Sequence, residues 1–155
     1  MILPLKLTGT VSSKRRIRGA QLSKIIHSEL EPFAGRTQTR GDDLLLSPQQ
    51  AQNFCLALHE LATNAAKYGA LSKASGKLDL SWTLASKGGN RLLQFKWRET
   101  GGPRVRAPTR RGFGTSLIKA TFAGVRLDFA ADGLRCEIDV PLGRTADGAA
   151  TTFAP

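Results

Sequence analysis

SPQQAQNFCLALHELATNAAKYG, residues 47–69, is the stretch that decides the fold of this 155-residue chain. Ser47 is a capping residue, Pro48 suits the first helical position, and Gln50 stands where a capping box places its second partner. A helix therefore starts here and continues to Lys67 or Tyr68, where Gly69 can end it. Phe54, Leu58, Leu61, Ala62 and Ala65 fall on one side of that helix, and Glu60, Asn64, Lys67 and Tyr68 recur on another. One side belongs to a core, and the other faces something polar.

Upstream, Leu22, Ile25, Ile26, Leu30 and Phe33 recur at helical spacing and predict a helix over 20–31 stopped by Pro32. RTQTRGDDLLL at 36–46 reads as two short strands around a Gly41-Asp42-Asp43 turn. Downstream, KLDLSWTL at 77–84 and RLLQFKWRE at 91–99 alternate apolar with polar and make a hairpin through SKGGN. The Gly-, Pro- and Arg-rich 100–114 is loop, SLIKATFA is a short helix, and 125–129 pairs with 136–140 through Ala131-Asp132-Gly133. These elements predict an α+β fold: a two-layer sandwich with a mixed, mostly antiparallel sheet and helices on one face. The expected organisation is a basic arm at 1–18, one domain at 19–142 and a disordered tail at 143–155.

At 41% hydrophobic and 23% charged, the chain is long enough to bury one substantial core. No apolar run approaches the roughly 18 residues of a membrane span, and the N-terminus places MILPL before its basic cluster, unlike a secretory signal. A cytoplasmic protein without membrane contact is the expectation. Cys55 and Cys136 lack metal-site spacing and read as buried free thiols. Most of the net charge of +11 comes from two clusters, at 1–20 and at Arg104, Arg106, Arg110 and Arg111. The remainder is close to balanced, which argues against a broad nucleic-acid footprint and leaves the basic arm as a solvated tail.

Three places could carry chemistry. A helix face that aligns a carboxylate, an amide and an ammonium has the groups a metal–phosphate ligand needs: Asn64 offers a hard oxygen to Mg²⁺, Lys67 a positive charge to phosphate, and Glu60 a proton acceptor. The bland alternative is a solvated helix face. Glu99 follows Leu93, Phe95 and Trp97 on the inward side of its strand, so it requires a partner, which an adenine amino group could be; Gly101 and Gly102 would allow backbone to approach the ring. If the strand stops at Trp97, Glu99 is simply in solvent. Arg111-Gly112-Phe113-Gly114-Thr115 opens a helix, where free N–H groups favour phosphate.

LALHELATNAAKYGALS at 56–72, KWRETGGP at 96–103 and GFGTSLI at 112–118 resemble the successive nucleotide boxes of HWE-type sensor histidine kinases, within the superfamily shared with gyrase, Hsp90 and MutL. The group is named for a histidine and a Trp-x-Glu, here His59, Trp97 and Glu99. The resemblance runs from about Gly19 to Leu142 and implies a Bergerat-type ATP-binding fold with ATP and Mg²⁺ as ligands. It implies that Asn64 binds Mg²⁺, Glu60 assists phosphoryl transfer, Lys67 contacts phosphate and Glu99 reads adenine. Gly101, Gly112 and Gly114 would shape the site, with His59, Tyr68, Gly102, Arg111, Phe113 and Thr115 among the nucleotide-binding positions. Residues 103–111 would be a short ATP lid. The partners implied are a histidine-containing dimerisation domain and, indirectly, a response regulator.

The family's acceptor pattern is absent from residues 1–20, and His27 reads as a surface histidine. The chain is therefore expected to be the ATP-holding half of a kinase; the alternative is a regulatory module that binds ATP without kinase activity. KATFAGVRLDF is also shorter than the family norm, so a clipped third helix is expected.

Overall fold

The computed structural model describes residues 19–104 and 113–144. The basic arm, most of the arginine-rich loop including Arg111 and Gly112, and residues 145–155 of the expected tail lie outside the described residues; the tail's first two residues, Gly143 and Arg144, instead end the last strand.

The long helix α2 (Pro48–Lys67) forms as its sequence dictates. Ser47 Oγ accepts from Gln50 N at 3.1 Å, and Gln50 Oε1 accepts from Ser47 N at 2.9 Å. This reciprocal pair satisfies two amides that the first turn leaves unpaired. Phe54, Leu58, Leu61, Ala62 and Ala65 are all buried. At the far end, Tyr68 N and Gly69 N both donate to Asn64 O, at 2.8 and 3.2 Å. Gly69 is not a left-handed cap, since its φ is −107°. It must be glycine because a Cβ there would collide with Glu99 Oε1.

Preceding α2 are β1 (Ala20–Gln21), α1 (Leu22–Glu29), a 3-10 stretch (Glu31–Arg36), β2 (Thr37–Arg40) and β3 (Leu45–Leu46). After it come a 3-10 turn (Ala70–Ser72), β4 (Lys77–Lys87), β5 (Asn90–Thr100), α3 (Phe113–Thr121), β6 (Gly124–Ala130) and β7 (Gly133–Arg144). Five strands form one sheet in the order β2-β4-β5-β7-β6. The β2–β4 pair is parallel and the others are antiparallel. The β4–β5 hairpin turns tightly through Gly88 and Gly89, whose φ values of 60° and 84° suit a primed two-residue turn.

The inner sheet face supplies Leu80, Trp97 and Cys136 in one cross-strand row and Trp82, Phe95 and Ile138 in the next, all buried. Helices cover this face. Phe54 meets Phe95 edge-on, with centroids 5.5 Å apart, and Phe122, just beyond α3, at 5.2 Å. Nine residues of the third helix are described, and Ile118 and Phe122 are buried and complete the core. The outer face carries Lys96, Glu137 and Arg126 in register across three strands, so neighbouring charges compensate one another in water. The two-layer, mostly antiparallel architecture expected from the sequence is the one observed.

The hairpin expected at 36–46 does not form. β2 pairs in parallel with β4, Thr37 opposite Leu78, while β3 pairs with β1, Leu46 opposite Ala20. Trp82 explains the difference. Its indole Nε1 donates to Asp42 O at 2.7 Å, and its ring occupies the space a Cβ on Gly41 would need. The 41–44 segment is thus drawn over Trp82 instead of turning back on β2. Pro32, expected only to stop α1, lies at the start of the 3-10 stretch.

Candidate functional site

On α2, Glu60 and Asn64 are half-buried, while Lys67 is exposed and Tyr68, just after the helix, is 75% exposed. Among the described residues, no hydrogen bond or ion pair engages the side chains of Glu60, Asn64 or Lys67. The helix therefore presents an uncommitted carboxylate, amide and ammonium. Their donor set suits a phosphate-bound Mg²⁺, which takes one or two protein oxygens and fills the rest of its shell with phosphate and water. Among the described residues there is no cluster of three or more His, Cys, Asp or Glu that could form an all-protein metal cage.

Glu99 decides how the end of α2 is held. β5 continues to Thr100, so Glu99 stays on the inward face and is only 2% exposed. Its two oxygens have separate protein donors: Trp97 Nε1 to Oε2 at 2.8 Å and Ala70 N to Oε1 at 3.0 Å. Burial pushes the carboxyl up from its ordinary value, and the Ala70 and Trp97 donors pull it back down. The partner that the sequence left to a ligand is thus supplied first by the fold, although each oxygen keeps a further lone pair. Trp97 and Glu99, two apart in a strand, share a face. That spacing is the sequence signal by which their pairing could have been found.

Around this carboxylate the backbone comes unusually close. Gly101 adopts the left-handed φ of 76°, and a Cβ on it would fall against the Ser75 carbonyl. A Cβ on Gly102 would lie 2.5 Å from Ala70 Cα. Ser75 Oγ donates to Gly101 O at 2.7 Å, fastening the loop after α2 to the segment after β5. The glycines expected to admit a ligand ring also let these two loops pack together.

The remaining sequence candidates are placed differently. Among the described residues α3 runs from Phe113, so Phe113, Gly114 and Thr115 form its first described turn. His59 is largely exposed, its Nδ1 3.6 Å from Glu29 Oε1 of α1. Cys136 is fully buried, its thiol pushed up to about 12 chiefly by that burial; Cys55 is half-buried rather than buried. A shallow depression on the outer sheet face is lined by Ser81, Thr83, Gln94, Lys96 and Arg126. Arg126 is already paired there with Glu137 and Asp139, and the helices lie on the other side of the sheet.

No family model matches the chain. Over 138 residues it is 39% identical to a blue-light-activated histidine kinase of Brucella anthropi, covering 83% of this chain and 28% of that protein. A Brucella ovis protein of the same description is 36% identical over the same shares. The chain thus spans 28% of the length of these curated relatives. Among solved structures, the histidine kinase domain of the Erythrobacter litoralis EL346 blue-light-activated histidine kinase matches with a TM-score of 0.58 and 17% identity, over 78% of this chain and 59% of that one. The catalytic domain of histidine kinase ThkA matches with a TM-score of 0.55 and 14% identity, over 78% of this chain and 93% of that domain. These structural likenesses establish the fold.

Proposed function

The chain carries a catalytic domain of the HWE-type histidine kinase family, and from that premise we propose that it holds ATP·Mg²⁺ against the polar face of α2. The domain then delivers the γ-phosphoryl group to a histidine on a separate dimerisation domain. The observation that carries this reading is the Glu60–Asn64–Lys67 face, whose side chains have no partner among the described residues, on a helix whose end is fastened to buried Glu99.

Each residue has a physical task. Asn64 supplies a neutral oxygen to the metal, and Lys67 and Arg111 offset phosphate charge. Gly112 and the first turn of α3, Phe113 to Thr115, offer backbone N–H groups to the phosphates. Glu99, with Gly101 and Gly102 beside it, takes the adenine end, flanked by Tyr68; His59 stands at the outer margin next to α1. Mg²⁺ held by Asn64 would supply positive charge to the phosphates. Glu60 is the group available to accept the proton that the acceptor imidazole loses. Transfer of this kind depends on positioning and charge stabilisation, and a covalent nucleophile is not required.

The same reading places residues 19–142 as the ATP-binding domain in the cytoplasm, with a response regulator receiving the phosphate from the histidine. Among the described residues, no helix is long and apolar enough to cross a membrane. The chain is to be mixed with an HWE-type dimerisation domain and γ-labelled ATP. Acid-labile label on the dimerisation domain is the expected product. ATP binding without transferred label would overturn phosphotransfer and favour a regulatory module.

A further inference from the structure

Arg36 stands far from the α2 face in sequence but reaches the same site through backbone. It ends the 3-10 stretch just before β2, and the β2–β4 register brings it beside the segment leading into β4. There its guanidinium donates to three carbonyl oxygens of one loop: Lys73 O and, at 3.4 Å, Gly76 O through Nη1, and Leu71 O at 3.3 Å through Nη2. Arg36 makes no ion pair among the described residues. Its charge is met by carbonyl dipoles, an arrangement that a planar five-donor fork can make and a lysine ammonium cannot span.

The same loop also meets Glu99 and the segment after it. Ala70 N donates to the carboxylate, Ser75 Oγ to Gly101 O, and Gly76 packs so tightly on the Ala70 carbonyl that a Cβ would not fit. A loop held at Leu71, Lys73 and Gly76 therefore fixes where the Ala70 N–H points, and with it one oxygen of Glu99. We propose that Arg36 is a positioning residue for base recognition: it clamps the 70–76 loop so that Glu99 presents its carboxylate to the 6-amino group of the nucleotide. This rests on the adenine role given to Glu99 above.

The test uses Arg36→Met, which removes the donors, and Arg36→Lys, which keeps the charge and stem. Calorimetry with Mg²⁺ measures Kd for ATP and for inosine triphosphate, which lacks the 6-amino group, at a temperature where circular dichroism shows each variant folded. Both variants are expected to bind ATP about tenfold more weakly, the equivalent of one charge-assisted hydrogen bond, with inosine triphosphate affinity unchanged. If Arg36→Met does not fold, Arg36→Lys decides. A lowered melting temperature with the wild-type nucleotide preference intact, or an equal loss for both nucleotides, would overturn the proposal and reduce Arg36 to a staple. A wild-type chain that binds neither nucleotide would instead refute the ATP reading itself.

Discussion

Glu99→Gln is the sharpest structural perturbation, because it preserves shape and changes only what each oxygen position can accept. In the wild type, Trp97 Nε1 and Ala70 N each have a carboxylate oxygen, at 2.8 and 3.0 Å. Glutamine's single oxygen can serve one of them, leaving its NH₂ group against the other N–H. An unmet buried donor costs about 1–3 kcal/mol, and relief from burying a charge returns part of it, so a net loss of about 1–2 kcal/mol is expected at pH 7. Urea denaturation followed by tryptophan fluorescence reads this, as does a melting temperature lower by roughly 4 °C per kcal/mol. The pH dependence adds a sign. Burial raises the Glu99 carboxyl above its ordinary 4.5, so the folded state keeps its proton over a window in which the unfolded chain has lost it. Its contribution to stability is then fully present below 4.5 and drains away as pH rises through the folded value. Glutamine has no such dependence, so the gap between wild type and variant should narrow with rising pH. A variant as stable as the wild type, with the same pH slope, would refute the claim that these two donors hold a buried carboxylate.

Other consequences follow from single contacts. Ser47→Ala removes one half of the capping box and should cost about 1 kcal/mol in urea denaturation. Gly76→Ala drives a methyl into the Ala70 carbonyl and should cost more than about 3 kcal/mol, visible as a large drop in melting temperature or loss of folded protein. A thiol-specific reagent should modify half-buried Cys55 first, and reach Cys136, with its thiol near 12, only on unfolding; mass spectrometry of timed samples would show the order.

Where local chemistry decides structure, the sequence was readable. The capping box of α2, its apolar stripe, the β4–β5 hairpin and the inward direction of Glu99 all rest on neighbours within a few residues, and all stand in the structure. Where distant contacts decide, it was not. The Gly41-Asp42-Asp43 signal suggested a hairpin because a turn is a local pattern, but Trp82, some 40 residues away, claims that segment. Gly69 reads in the sequence as a helix end, but it is glycine to make room for a carboxylate 30 residues downstream. Arg36 gave no signal at all, because an arginine bound to carbonyl oxygens leaves no complementary acid in the sequence. The candidate site follows the same division: the polar side of α2 comes from periodicity, while the links from Ala70 and Trp97 to Glu99 need the fold.

Whether Asn64 holds the metal of a bound ATP·Mg²⁺ on the face of α2 is decided by calorimetric titration of ATP into the wild type and Asn64→Ala, each with and without Mg²⁺. Mg²⁺ should strengthen binding to the wild type, and the variant should lose most of this Mg²⁺-dependent affinity. Unchanged Mg²⁺-dependent binding after Asn64→Ala would contradict it.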